Sequence, residues 1–249
     1  MVPVGQLPFA TTFFRPLGRG GSKAQLLGFN DGINRVVKFP NNPQGVRVLA
    51  NELVSARLAG LIGVPVPSCG IVEGTNSFVN AEPMLSEFEA GLCFGSEYHK
   101  AVDVSGPSEI WMASNKEELA GIVLFDSWCN NVDRAHNPGN LILTADGRGQ
   151  RILAIDHGFC FGYQWDKHVN EIGQPVSIIC RSDFRQFVAL KHFGPFIERI
   201  KGIKEAELHD VVAEVPREWQ VSESERVALV KYVQSRIGDS VQAVMNDFR

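Results

Sequence analysis

The sequence predicts an α+β fold of two lobes, strand-rich at the amino end and helical at the carboxyl end. Three observations predict it. Two short apolar runs flank an Asn-Asp-Gly turn near the amino terminus. A three- and four-residue hydrophobic period begins at Val48. From Ser182 to the end the patterning is helical. We expect one domain, residues 1–249, with the amino lobe over about 1–88 and the carboxyl lobe over about 89–249.

Taken in order, "KAQLLGF" and "INRVVKFP" read as two strands, because Asn30-Asp31-Gly32 supplies the backbone angles of a tight turn. "GVRVLANELVSARLAGLIG" repeats Val48, Leu49, Leu53, Ala56 and Ala59 on one helical face, and Gly63 and Pro65 stop it. "CGIVEG" and "FVNAEPML" read as further strands. "SEFEAGLCFGSEYHKAVDVSGPSEI" shows no clear period and reads as a connector to the second lobe. "NKEELAGIVLFDSWCNN" is predicted helical with Ser114 as its cap. "NLIL" and "RILAIDHG" form two compact apolar runs joined by the turn "TADGRG". "SESERVALVKYVQSRIGDSVQAVM" opens on an S-x-x-E capping box and carries a long apolar face.

Composition narrows the function classes. The chain has 249 residues, 44% hydrophobic and 21% charged, and its net charge of −4 gives no overall footprint for nucleic acid. No apolar stretch reaches the length of a membrane span, and "MVPVGQLPFATTFF" lacks the pattern of a signal peptide. The five cysteines are far apart and contain no C-x-x-C pair. They read as reduced thiols of a cytoplasmic protein.

The stretch "WCNNVDRAHNPGNL", from Trp128 to Leu141, crowds acids, amides and basic groups between two apolar segments. If "NLIL" pairs with "RILAID", then Asp133, in the loop before one strand, Asn140, and Asp156, at the end of the other, converge at one end of a hairpin. One carboxylate with an amide and a second carboxylate is a hard-oxygen set suited to Mg²⁺, which prefers few protein ligands and keeps waters or phosphate oxygens. A separate carboxylate can orient a hydroxyl nucleophile, and phosphoryl transfer needs little beyond such positioning and charge neutralisation. In the amino lobe, "LGRGGSKAQLL" brings Gly18, Gly20, Gly21 and Ser22 ahead of a strand, where small residues let backbone amides approach a phosphate. Its spacing is not that of a Walker loop. Lys38 lies in an apolar strand and needs an anionic partner, which Glu52 on the next helix can supply.

Each member has a structural reading when taken alone: a hairpin glycine, a solvated lysine, a turn-forming acid. Their order in the chain is that of a kinase: glycine loop, strand lysine, helix glutamate, loop Asp with Asn, strand-end D-x-G.

The phrases "GGSKAQLL", "VVKFPNNPQGVRVLANELVSARLAGLIGVPVP", "GLCFGSEY", "NNVDRAHNPGNLIL" and "AIDHG" resemble the HipA-like kinases of compact bacterial type, over roughly residues 16 to 160. The carboxyl-terminal seventy residues resemble that family only in being helical and in a "VPREW" phrase. The resemblance implies a bilobal protein-kinase-like fold and ATP with Mg²⁺ as cofactors. It implies that Lys38 contacts the α- and β-phosphates, that Glu52 holds Lys38, and that Asp133 is the catalytic base. It also implies that Asn140 and Asp156 bind Mg²⁺, and that a hinge over Met84 to Phe88, including Ser86 and Glu87, bonds adenine through its backbone. It does not extend to the added amino-terminal domain of the HipA toxins, so an antitoxin partner bound to DNA is not implied.

The departures from the pattern are specific. The metal asparagine is Asn137 or Asn140, with Asn140 preferred because it directly precedes the strand. The D-F-G of protein kinases reads Asp156-His157-Gly158, so a phenylalanine switch is not implied. His136 and His157 can serve as acid/base groups or as hydrogen-bonding residues. Arg134 can neutralise transferred-phosphate charge or form a structural ion pair. The acceptor of the leading reading is a serine or threonine of a protein. A small-molecule kinase, a nucleotide-binding scaffold, and adenylate transfer remain as alternatives.

Overall fold

The structure, a computed structural model, describes residues 6–18, 21–145, 147, 149–162 and 176–249. The chain divides into two compact units. The first comprises Met1–Leu53, Pro67–His99 and Val215–Val221, and the second Val54–Val66, Lys100–Glu214 and Ser222–Arg249.

The first unit is built on an antiparallel sheet in the order β1-β2-β3-β5-β4. Its strands are β1 (Ala10–Pro16), β2 (Gln25–Phe29), β3 (Asn34–Lys38), β4 (Cys69–Gly74) and β5 (Gly91–Glu97). The predicted β2–β3 hairpin is present, with Gln25 opposite Val37 and Gly28 opposite Asn34. Its turn works as the sequence implies: Gly32 takes φ +80, and the Asp31 carboxylate accepts from the Ile33 amide at 3.1 Å. The first and last strands also meet, through a parallel bridge between Phe9 and Glu73. One face of the sheet buries Leu27, Phe29, Val37, Phe39, Val72 and Cys93 against Val79, Leu85 and Phe88. Helix α1 (Arg47–Ile62) follows β3, and Gly63 ends it at φ +78.

Two expectations fail in this unit. "FVNAEPML" is not a strand but helix α2 (Asn76–Ala81) followed by a 3-10 turn, Pro83–Leu85. The Thr75 hydroxyl accepts from the Phe78 amide at 3.3 Å, and Glu82 caps the next turn, with Pro83 at its first position. These local caps override the strand-like composition. Conversely, "GLCFGSE" is no connector but β5, which lies between β3 and β4. Glycines obscured its period. At Gly95 a Cβ would lie 2.9 Å from a methyl of Val72 and 3.2 Å from the Arg35 stem, so the packing requires glycine there.

A late segment completes this unit. In the 3-10 turn Arg217–Trp219 the Trp219 indole is fully buried, and its N–H donates to the Leu92 carbonyl of β5 at 2.9 Å.

The second unit contains β6 (Ala101–Asp103), β7 (Leu141–Ala145) and β8 (Gln150–Ala154) in one antiparallel sheet. Its helices are α3 (Pro107–Met112), α4 (Leu119–Cys129), α5 (Asp133–His136), α6 (Leu190–Gly202), α7 (Glu205–Ala213) and α8 (Glu223–Asp247). Every residue of α4 is buried, and the helix packs on α6 and α8. At Gly121 a Cβ would fall 2.3 Å from the Phe196 ring, so only glycine permits this α4–α6 contact. Arg236 of α8 donates to the carbonyls of Ser127 and Trp128 at 2.9 and 2.8 Å, satisfying carbonyls in the last turn of α4 that lack helical partners. The expected Ser222–Glu225 capping box opens α8.

Ser114, expected to cap α4, donates instead to the Gln150 carbonyl at 3.0 Å. The helix is preceded by a 3-10 turn, Lys116–Glu118, whose Asn115 is tied to β8 through Ile152. The β7–β8 hairpin is as expected, with Leu141 opposite Ala154. Strand β6 is an addition, too short for its three residues to show a period. Among the described residues no helix is long and apolar enough to cross a membrane, and all five cysteines are free thiols.

Candidate active site

In the first unit Lys38 closes β3, opposite Phe94 of β5. Its ammonium pairs with the Glu52 carboxylate of α1, with the two side chains 8% and 2% exposed. The expected pair is therefore made, and made almost without solvent. A buried ion pair is retained only where geometry and further bonds offset desolvation.

The loop between β1 and β2 is closed at its base by the Leu17 amide, which donates to the Ala24 carbonyl at 2.9 Å. Around Gly18 a Cβ would meet nothing within 4 Å, whereas at Gly21 it would lie 3.0 Å from the Gln44 amide. Ser22 is buried. Gly20 lies outside the described residues. Lys23 has φ +48 and pairs with the Glu87 carboxylate, which ties the end of the loop to the segment before β5.

That segment holds the residues expected to bond adenine through their backbone. Met84, Ser86, Glu87 and Phe88 precede β5 and lie inside the first unit, in its stretch Pro67–His99. Phe88 is a core residue stacked on Phe39 at 4.8 Å between ring centroids. The Ser86 and Phe88 amides are taken by the Pro83 and Leu85 carbonyls, and the Glu87 carbonyl accepts from Asn41 at 2.9 Å. Met84 is 57% exposed.

In the second unit Asp133 is not in a loop but is the first residue of α5, a single helical turn. The Asn140 side-chain amide donates to Asp133 Oδ2 at 2.6 Å, and Asn140 is buried. Asn137 is exposed, and its Oδ1 accepts from the Gly139 amide at 3.2 Å, a local turn bond. One pair beyond β7–β8, the Ile155 amide donates to the Asn140 carbonyl at 3.0 Å. Asp156, next in the chain, has φ +56, a left-handed conformation uncommon for a residue other than glycine. The hairpin thus brings Asp133, Asn140 and Asp156 to one end.

Arg134 is 1% exposed, and its guanidinium donates to Asp126 of α4, with Nε 3.1 and 2.9 Å from the two carboxylate oxygens. Of the two readings open for Arg134, the structural ion pair is the one present. Burial pushes the Asp126 carboxyl up to about 6, while Arg134 and the Asn131 amide hold it down. His157 is buried, with Nδ1 2.9 Å from Arg134 Nη2 and its ring edge-on to Phe125 at 5.5 Å. His136 is exposed. Asp126 was overlooked in the sequence, although an acid inside "LAGIVLFDSWC" is itself a signal, because a buried carboxylate needs a partner.

Asn140 and Asp156 are the residues whose chemistry could hold a magnesium ion. With the Asn140 NH₂ directed to Asp133, its Oδ1 is the remaining acceptor, and the Asp156 carboxylate adds a second hard oxygen group.

A family model described as HipA-like kinase matches residues 12–248. Among solved structures, a proinflammatory kinase of Helicobacter pylori, CtkA, is similar with a TM-score of 0.60 at 15% identity, covering 93% of this chain and 94% of that one. A Golgi casein kinase with Mn/ADP bound gives 0.51 at 10% identity, covering 96% and 72%. A second structure of a Golgi casein kinase gives 0.52 at 11% identity, covering 98% and 76%. At these identities the likeness is one of fold, an α+β fold of the protein-kinase type. No curated protein matches the chain.

Proposed function

This chain belongs to the HipA-like kinase family, and we propose that it is a cytoplasmic, ATP- and Mg²⁺-dependent phosphotransferase whose acceptor is a serine or threonine hydroxyl of a protein. The observation that carries the reading is the convergence of Asp133, Asn140 and Asp156 at one end of the β7–β8 hairpin, with Asn140 bonded to Asp133 at 2.6 Å.

In this reading Asp133 orients the acceptor hydroxyl and receives its proton as the new oxygen–phosphorus bond forms. The bond from the γ-phosphorus to the bridging oxygen breaks, and ADP leaves. Lys38, steadied by Glu52, holds the α- and β-phosphates, and amides of the Gly18–Ser22 loop approach the phosphate chain. Asn140 and Asp156 would hold the metal, which would supply neutralisation of charge on the phosphate oxygens.

The test is the intact mass of the purified protein after incubation with Mg²⁺ and ATP, beside Asp133→Ala. Wild type should gain phosphate, on itself or on an added protein acceptor, and the variant should not. Gain of adenylate would replace the reaction. Transfer by both proteins alike would remove Asp133 from it.

A further inference from the structure

We propose that Arg134, anchored by Asp126, is a positioning residue that sets the spacing of the two metal-binding residues, Asn140 and Asp156. The inference rests on the phosphotransferase reading and assigns a role within that same site.

Four groups from three segments meet on this one guanidinium. Nε engages the Asp126 carboxylate of α4. Nη1 donates to the Asn140 carbonyl and, at 2.8 Å, to the Ile155 carbonyl. Nη2 lies 2.9 Å from His157 Nδ1. Arg134 therefore grips the backbone of one metal-binding residue itself and both chain neighbours of the other. Asp156 is bracketed between Ile155 and His157, and its left-handed backbone is held from both sides.

The anchor is firm because Asp126 is fixed as well. Its Oδ1 accepts from Asn131 Nδ2 at 3.0 Å, and it belongs to the wholly buried α4. A rigid planar fork is what these partners require. A lysine offers one compact charge and cannot span a carboxylate, two carbonyls and an imidazole at once. Burial also excludes the phosphate role for Arg134, because its donors already face protein groups at 1% exposure.

A stabilising ion pair and a positioning residue differ in what they move. Residues that orient metal ligands change metal affinity or activity by about 10–100-fold when replaced. The experiment compares wild type, Arg134→Lys and His157→Ala. Mn²⁺ uptake in the presence of ADP is followed by the loss of the free-ion EPR signal beyond that caused by ADP alone, ADP affinity is measured in EDTA, and thermal unfolding is recorded for each.

Arg134→Lys should weaken Mn²⁺ binding about 10–100-fold, with metal-free ADP affinity within about twofold of wild type. His157→Ala, which leaves the Asp126 pair intact, should shift Mn²⁺ in the same direction by less, and it carries the test if the lysine variant does not fold. Unchanged Mn²⁺ binding in folded variants overturns the proposal. So does a parallel loss of Mn²⁺ binding, metal-free ADP binding and thermal stability, which is the mark of a merely structural pair. Wild type that takes up no Mn²⁺ overturns the proposed metal site along with this inference, whereas wild-type uptake with unchanged variants overturns this inference alone.

Discussion

The side-chain amide of Asn140 donates to Asp133 Oδ2 at 2.6 Å across seven residues of chain. The bond joins the first residue of a helical turn to the residue directly before strand β7. Together they form a preset corner, with one carboxylate oxygen engaged by the amide.

Asp133 and Asp156 should separate by what they spoil. Asp133→Ala should lower turnover at least about 10²-fold, the usual scale for loss of a general base, with Mg·ATP affinity nearly intact. Asp156→Ala should lose Mg·ATP affinity as well. Single-turnover kinetics and calorimetric titration read the two quantities, and equal turnover in Asp133→Ala and wild type would sink its assigned role.

The buried Lys38–Glu52 pair should behave as a unit. Removing either partner alone leaves a charge with 8% or 2% exposure and should cost about 3–5 kcal/mol of stability. The double alanine variant should be destabilised by less than the sum, with a coupling of about 0.5–3 kcal/mol in chemical denaturation. Additive losses would mean that the two charges do not depend on one another.

Gly121→Ala should destabilise the second unit by about 1–3 kcal/mol through overpacking, because the added methyl would lie 2.3–2.7 Å from the Phe196 ring. Phe196→Leu in the same chain should recover part of that loss. Gly121→Ala at wild-type stability would show that the ring moves aside without cost.

Asp31 gives a signed dependence on pH. Its side-chain bond to Arg35, the largest cause, holds the native carboxyl below 3.8. A depressed native value means stability that is present above the unfolded value and lost as pH falls through the native one. Wild type should exceed Asp31→Asn by at most about 1 kcal/mol at neutral pH, and the gap should close below pH 3.8. A gap independent of pH would assign the effect to the turn and not to the charge.

The sequence revealed features whose signal is local. The β2–β3 hairpin carries its own turn, α1 its own period and stop, and α8 its own capping box. It misled where neighbours decide. Gly95 erased the alternation of β5 because Val72 and Arg35 occupy the space of a Cβ, so the strand read as part of a connector. Thr75 and Glu82 turned a strand-like string into helical turns. Within the site, the pairing of Lys38 with Glu52 was legible because a lysine in an apolar strand requires an anion. The role of Arg134 was not legible, since its carboxylate partner lies eight residues back, on another helix, and its other partners are backbone carbonyls.

Trp219 has a consequence for heredity. Its indole bond to Leu92 makes residues 215–221 part of the first unit, although 115 residues of the second unit intervene after His99. The strand-rich unit is therefore not a contiguous cassette. A recombination event that exchanged residues 1–99 for those of a relative would leave behind the indole that caps β5. Grafts between relatives should succeed only when the short "VPREW" stretch travels with the sheet.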